Sequence, residues 1–171
     1  MSDLLSTTAL RIVLGVDIGR YGAIAAVRID GSLFDVEDMP ILHDGPANRA
    51  SVNAPLLADI LARWHAGAAF VEYVGARPGE GAVGAFAFGR SRGVIEGACG
   101  ALGLAVTFIT PPVWKRAVGI PPGKDGAKDA ARAEAIRRWP DKASLFARKR
   151  DDGRAEAALI AVAGLMREDA K

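Results

Sequence analysis

Four acidic side chains interrupt segments that are otherwise apolar: Asp17, Glu72, Asp152 and Glu156. A carboxylate in such a segment is costly to bury unless it meets a cation or a full set of hydrogen-bond donors. Carboxylate oxygens are the ligands that Mg²⁺ and Mn²⁺ prefer. Two such ions about 3.5–4 Å apart activate a water molecule and stabilise the leaving oxygen during phosphodiester hydrolysis. If the elements that carry these acids converge, the residues therefore predict a two-metal phosphodiesterase site.

The alternative explanations for these acids are structural. Asp17 is followed closely by a glycine turn, which its carboxylate would cap. Asp151 and Asp152 stand where the macrodipole of a predicted helix favours anions. That explanation suits Asp151 better than Glu156, which lies a full turn inside the helix. The pattern leaves open whether Asp151 or Asp152 faces the site.

Hydrophobic patterning predicts the elements that position the acids. Three short apolar runs joined by glycine turns predict antiparallel strands, at 11–19, 22–29 and 32–39. After a polar loop over 40–51, Asn53 caps a helix that reaches residue 65. Because a helix separates the strands, the next strand, with Glu72, is predicted parallel to the first. The remaining predictions are a glycine-rich loop over 75–84, a helix over 85–102, a strand over 104–109, a short helix over 113–118, a basic loop over 119–126, and helices over 127–139 and 152–166.

The predicted fold class is α/β, a mixed five-stranded sheet with three antiparallel strands followed by parallel ones and flanked by helices. In the last helix, Asp152 and Glu156 share a face with the apolar residues Leu159 and Ile160. In the helix over 85–102, glycine recurs at every fourth position, at Gly89, Gly93 and Gly97. Such a face admits a close neighbouring backbone, and we expect packing within the chain rather than against a second subunit.

Length and composition limit the class of protein. The chain has 171 residues, half of them apolar, which predicts a single domain over 11–167 with a flexible N-terminus (1–10) and a short tail (168–171). Its only cysteine is Cys99, which excludes an intramolecular disulfide and a cysteine-based zinc site and fits a reducing compartment. No leader segment and no apolar run of about 20 residues occurs, so we expect a cytoplasmic protein that contacts no membrane. His43 and His65 lie outside the acidic segments and are predicted at the surface.

The net charge is only +2, but the basic residues are unevenly distributed. Many of them lie in the C-terminal third of the chain, which predicts either a surface for a polyanion or a solvated basic face without a partner. The cations of the C-terminal third are Lys115, Arg116, Lys124, Lys128, Arg132, Arg137, Arg138, Lys142, Arg148, Lys149, Arg150 and Arg154.

Five short motifs follow one another along the chain: Gly-Val-Asp-Ile-Gly (15–19), Phe-Val-Glu-Tyr-Val (70–74), Gly-Arg-Ser-Arg-Gly-Val (89–94), Thr-Pro-Pro-Val-Trp-Lys (110–115) and Asp-Asp-Gly-Arg-Ala-Glu-Ala (151–157). In this order they resemble the RuvC-like Holliday-junction resolvases of the RNase H-like superfamily, over residues 11–167. The first motif alone is weak, because Gly-x-Asp-x-Gly also opens sugar kinases and actin-like ATPases, whose folds pair two such domains.

The resemblance implies a nucleoid-associated homodimer that cuts symmetric strands of a four-way DNA junction, with branch-migration machinery as a possible partner. It assigns catalysis and two Mg²⁺ or Mn²⁺ ions to Asp17, Glu72, Asp152 and Glu156. The loop after Glu72 would probe the junction centre. The residues predicted to bind DNA are Lys115, Arg116, Lys124, Lys128, Arg90 and Arg92.

The chain departs from the family pattern in two places. The last acid is Glu156 instead of the more usual aspartate, four residues after Asp152 instead of three. The loop over 75–84 contains no aromatic residue, so Phe86 or Phe88 would have to enter the junction, although we expect both in the core. The alternatives are a nuclease for other branched DNA or RNA, or a catalytically inactive nucleic-acid-binding protein; a purely structural domain leaves the acids unexplained.

Overall fold

The strand that carries Asp17 lies at the centre of a five-stranded mixed sheet. The computed structural model describes residues 12–43, 45, 49–73, 75, 79, 81–121 and 127–168. In chain order the strands of this sheet are β1 (Ile12–Asp17), β2 (Ala23–Arg28), β3 (Leu33–Asp38), β6 (Ala68–Glu72) and β7 (Ala105–Ile109). Between β3 and β6 a separate two-stranded ribbon is formed by β4 (Ile41–His43) and β5 (Ala50–Val52).

The spatial order of the large sheet is β3-β2-β1-β6-β7. β1, β2 and β3 are antiparallel neighbours, whereas β6 runs parallel to β1 and β7 runs parallel to β6. Val16 is paired with Val71, so the residues that follow them, Asp17 and Glu72, emerge at the same edge of the sheet. The predicted fold class and the crossover are confirmed.

Helices cover both faces of the sheet, because the central strands are apolar on both sides. The helices are α1 (Ala54–Trp64), α2 (Ala82–Ala101), α3 (Pro111–Ala117), α4 (Ala127–Arg138) and α5 (Asp152–Glu168). One core contains Leu14 and Val16 with buried residues of α1 and α2. The other contains Val13 and Phe70 with buried residues of α3, α4 and α5. Alternation along β1 therefore supplies both cores.

The start of α1 confirms the predicted cap. Asn53 Oδ1 accepts a hydrogen bond of 3.2 Å from the backbone N–H of Leu56, which satisfies a donor of the first helical turn. The helix ends before His65, which adopts the left-handed conformation with φ 47°. Leu56 in its first turn is exposed, while the apolar residues Leu57, Ile60, Leu61 and Trp64 are buried.

Helix α5 lies directly on β1 because small residues remove the side chains between them. A Cβ atom on Gly15 would stand 2.0 Å from the carbonyl oxygen of Ala157 and 2.5 Å from the backbone nitrogen of Ala161. Near the end of the helix, a Cβ on Gly164 would meet the ring of Phe70 at 2.1 Å. The close packing of α5 on Gly15 of β1 fixes the start of α5 beside the end of β1.

Four sequence predictions need correction. The polar loop over 40–51 contains β4 and β5, whose three-residue strands are too short for a periodic signal. Helix α2 begins at Ala82 instead of 85, and 3₁₀ turns occupy Pro140–Leu145 and Lys149–Asp151, where no element was predicted. The glycine face of α2 does not pack within the described part of the chain, because a Cβ at any of its three positions would meet no atom within 4 Å.

Some predictions lie outside the described residues: the N-terminus over 1–10, positions 169–171 of the tail, and 122–126 of the basic loop, which includes Lys124. Among the described residues, no helix combines the length and the apolar character that a membrane span requires.

Candidate active site

Asp17 and Glu72 are the last residues of two adjacent parallel strands. Each follows a run of buried apolar residues, which fixes the backbone at that point. Glu72 is only 9% exposed. Two carboxylates thus lie at one edge of the sheet, at the carboxyl ends of parallel strands, where ligand sites commonly form.

The other two acids come from the N-terminal turns of α5. Asp152 is its first residue and Glu156 lies one turn further along, so both side chains project from the same side of the helix. Gly153, between them, faces the turn after β1: a Cβ there would stand 2.4 Å from the carbonyl oxygen of Tyr21. This close approach brings the start of α5 against the edge of the sheet that holds Asp17.

All four predicted acids line one open pocket of about 360 Å³. The turn over 18–22 forms one side of this carboxylate pocket, and Phe88 of α2 and Gly153 complete the lining. The acids come from β1, β6 and α5, which are separated by up to about 140 residues in the chain. The predicted convergence of these elements is therefore what the structure shows.

Trp114 holds the carboxylate of Glu72. Its indole Nε1 donates a hydrogen bond of 2.9 Å to Oε1 of Glu72, and the ring is completely buried in α3. A buried carboxylate is costly unless its oxygens are satisfied, and this bond satisfies one of them. The prediction from sequence missed Trp114 as a residue of the site, because 42 residues separate the two partners.

Lys115, the next residue of α3, places a positive charge beside the acids. Its Nζ lies 3.9 Å from Oε1 of Glu156 and 5.2 Å from the centre of the Trp114 ring. The side chain is 24% exposed. Lys115 was predicted to bind DNA, and the structure locates it beside Glu156 of the carboxylate pocket.

The geometry distinguishes Asp151 from Asp152. Asp151 is 2% exposed and accepts hydrogen bonds of 2.8 Å from both the backbone N–H and the guanidinium of Arg148. Although burial raises the pKa of this carboxyl, the Arg148 hydrogen bonds outweigh it, and the net pKa is below the usual value. Asp151 therefore closes the 3₁₀ turn before α5, whereas Asp152 lines the carboxylate pocket.

The donor set of the pocket suits Mg²⁺ or Mn²⁺, because all four acids offer oxygen and none of the described residues that line it is a softer ligand. Over the described residues, however, no three histidine, cysteine, aspartate or glutamate side chains already form a cluster that could hold an ion. Instead, Glu72 accepts a hydrogen bond from Trp114, and Glu156 forms an ion pair with Lys115. Carboxylates repel one another without a cation, which favours separation of such side chains.

The other predicted DNA-binding residues are dispersed. Arg116 on α3 and Arg90 on α2 are exposed. Arg92 is engaged by an ion pair of 2.6 Å with Glu96, and its guanidinium lies over the rings of Tyr73 and Phe108. Lys128 belongs to α4, but its side chain lies outside the described part, as does all of Lys124.

Only one of the two phenylalanines of α2 packs against the core, although both were predicted there. Phe86 is 75% exposed and borders a separate, mainly apolar pocket beneath β5. Phe88 is partly buried against the core and borders the carboxylate pocket. Helix α2 begins three residues earlier than predicted, and most residues of its first turns are exposed.

The order of strands, the crossover and the covering helices match the fold of solved RuvC structures. The Thermus thermophilus RuvC structure is similar, with a TM-score of 0.66 and 20% identity over 93% of this chain and 96% of that one. T. thermophilus RuvC in complex with a Holliday junction substrate gives a TM-score of 0.65 and 17% identity over 92% and 95%. No protein-family model matches the chain, and no curated protein matches its sequence.

Proposed function

We propose that this protein is a metal-dependent endonuclease that resolves four-way DNA junctions. The observation that carries the proposal is the convergence of four carboxylates, from three separate elements, on one pocket at the sheet edge. A similar fold, that of T. thermophilus RuvC, has been solved in complex with a Holliday junction substrate.

In this proposal Asp17, Glu72, Asp152 and Glu156 hold two Mg²⁺ or Mn²⁺ ions. When bound, the ions activate the attacking water and stabilise the leaving oxygen of the phosphodiester. The chain itself supplies position and charge. Trp114 fixes one oxygen of Glu72 and so limits the directions in which that carboxylate can bind.

Lys115 has two uses at such a site. Its ammonium group balances the charge of Glu156 at 3.9 Å, which lowers the repulsion among the four acids. It also offers a donor to a phosphate oxygen of a nucleic acid that enters the pocket. Contacts of this kind position the backbone without reading sequence, as a nuclease selective for DNA structure requires.

We further propose that the protein acts as a cytoplasmic homodimer. Two sites at a fixed separation fit only a substrate whose two scissile strands are correspondingly placed. Selectivity for a four-way junction then follows from the geometry of the dimer. The exposed cations Arg90 and Arg116 are available to contact the DNA arms outside the pocket.

The test is cleavage of a synthetic four-way junction, a linear duplex of the same sequence and an RNA–DNA hybrid. Each substrate is incubated with Mg²⁺, Mn²⁺ or chelator, using the wild type and Asp17→Asn. The proposal predicts metal-dependent, paired nicks in the junction alone, which the variant does not make. Preferential cutting of the hybrid would instead favour an RNA nuclease, and tight binding without cleavage under either metal would favour an inactive binding protein.

A further inference from the structure

Tyr21 is a large aromatic residue that the fold holds in solvent beside the carboxylates. It stands in the turn between β1 and β2 and is 74% exposed. On one side it borders the carboxylate pocket. On the other it borders a second pocket, of about 470 Å³, together with Lys149 and Arg150. A ring this exposed adds little to the core, and its position between two pockets suits contact with a ligand.

The turn that carries Tyr21 is fixed by glycines. Gly22 donates a backbone hydrogen bond of 3.1 Å to the carbonyl of Gly19, whose φ of 145° favours glycine. Gly153 lets the carbonyl of Tyr21 approach α5 to a distance that a Cβ would prevent. The ring is therefore presented at a defined place next to Asp152, which borders both pockets.

One cation lies over this ring, and two others line the second pocket with it. The guanidinium carbon of Arg20 lies 4.5 Å from the centre of the Tyr21 ring, and Lys149 and Arg150 line the second pocket. Among the described residues, the acid that lines that pocket besides Asp152 is Asp129, which is ion-paired with Arg132. An aromatic ring amid basic side chains is the combination that binds unstacked nucleotides, with the ring under a base and the cations at the backbone.

We propose that Tyr21 stacks on the base of a nucleotide next to the phosphodiester held at the carboxylates, and that Lys149 and Arg150 contact the backbone of the same strand. This subsite rests on the function proposed above. Stacking on a base requires that the base has left its neighbours, which is easier near a branch point than within a continuous duplex. The subsite therefore favours strands that are distorted at the scissile bond, whatever their sequence.

The test measures binding of a fluorescent four-way junction in an Asp17→Asn background, where binding is separated from cleavage. Tyr21→Ala and Tyr21→Leu are expected to weaken binding by about 5- to 150-fold, the range for loss of one base–aromatic stack. Tyr21→Phe keeps the ring and is expected to bind within about twofold of the parent. Because Tyr21 is exposed, the variants should show the parent's thermal unfolding curve.

Phe34→Ala is the matched control. Phe34 is 37% exposed and carries a similar cation, with the guanidinium carbon of Arg28 at 4.7 Å from its ring centre. It stands at the far end of the sheet from Asp17, because Leu33 pairs with Val27 while Asp17 pairs with Ala23. Loss of this ring should leave junction binding unchanged.

A second readout places 2-aminopurine beside the cleaved bond, as mapped with the wild type. Its fluorescence should change on binding to the parent and to Tyr21→Phe but not to Tyr21→Leu. If the parent binds the junction and Tyr21→Ala and Tyr21→Leu bind it equally well, the stacking subsite is overturned while the proposed function stands. If the parent binds no nucleic acid, the subsite and the proposed function both fail.

Discussion

At the residue scale, Trp114 determines how Glu72 can act. The pair connects α3 to the end of β6 through one buried hydrogen bond of 2.9 Å. A residue that hydrogen-bonds to a metal ligand orients that ligand, and its mutation typically lowers metal affinity or activity by about 10- to 100-fold. We therefore expect Trp114 to be a positioning residue, which acts through Glu72 and not on the substrate.

We predict that Trp114→Phe, which keeps most of the ring but removes the donor, lowers Mn²⁺ affinity and cleavage rate by about 10-fold or more. Titration with Mn²⁺ followed by electron paramagnetic resonance measures the affinity directly. The control is Trp139→Phe, since Trp139 Nε1 donates a similar bond of 3.0 Å to the carbonyl of Gly31. The control should lose stability only, and equal Mn²⁺ affinity in both variants would contradict the role of Trp114.

Asp151 and Asp152 are adjacent in sequence and are expected to differ in effect. Asp151→Asn should retain cleavage but lose about 1–2 kcal/mol of unfolding free energy, because it weakens the bonds to Arg148 that close the turn. Asp152→Asn should lose cleavage with little loss of stability. Assays of nicking and urea denaturation on both variants decide the assignment, and the reverse pattern would refute it.

The stabilisation by Asp151 also depends on pH. Because the pKa of the folded carboxyl is below its ordinary value of 3.8, the ionised form stabilises the fold. This contribution is complete well above pH 3.8 and is lost as the pH falls through the lower pKa of the folded state. The difference in unfolding free energy between wild type and Asp151→Asn should therefore shrink below about pH 3.8, as urea titrations across pH 2.5–7 would measure.

At the scale of elements, the contact of α5 with β1 positions two of the four acids. Gly15→Ala places a methyl group against backbone atoms of α5, which cannot move aside as a side chain would. We expect a loss of about 3 kcal/mol or more in urea denaturation, together with loss of cleavage. A Gly15→Ala protein with the stability of the wild type would show that α5 does not lie on β1 in this way.

Gly89→Ala is the control for that experiment, because the added methyl meets nothing within 4 Å. Alanine is favoured over glycine in a helix by about 0.5–1 kcal/mol, so this variant should be as stable as the wild type or more so. The pair separates the general effect of a methyl group from the effect of the contact with α5.

The sequence allowed prediction of the strands that end at Asp17 and Glu72, because uninterrupted apolar runs between glycine turns are a strong local signal. It also allowed prediction of the face shared by Asp152 and Glu156. Local patterns did not show that Trp114 would contact Glu72, since that bond depends on how α3 packs. Nor did they distinguish Asp151 from Asp152, because the 3₁₀ turn that contains Asp151 is too short to show a hydrophobic periodicity.

The glycine repeat of α2 shows a further limit of sequence patterns. Spacing of four places these residues on one face, and the sequence favoured packing of that face within the chain. No described residue covers the face, because the helix contacts its neighbours through other residues such as Ile95 and Cys99. Periodicity indicates which residues share a face, while the arrangement of whole elements decides what covers it.

At the scale of the whole molecule, the central claim is that two such sites cut a junction in a coordinated way. A supercoiled plasmid with an extruded cruciform tests this most directly, because two cuts within one bound complex give a linear product and a single cut gives a nicked circle. With Mg²⁺ we predict linear product from the wild type, none from Asp17→Asn or in chelator, and none from a plasmid without the inverted repeat. Absence of cutting, or equal cutting of both plasmids, would contradict the claim.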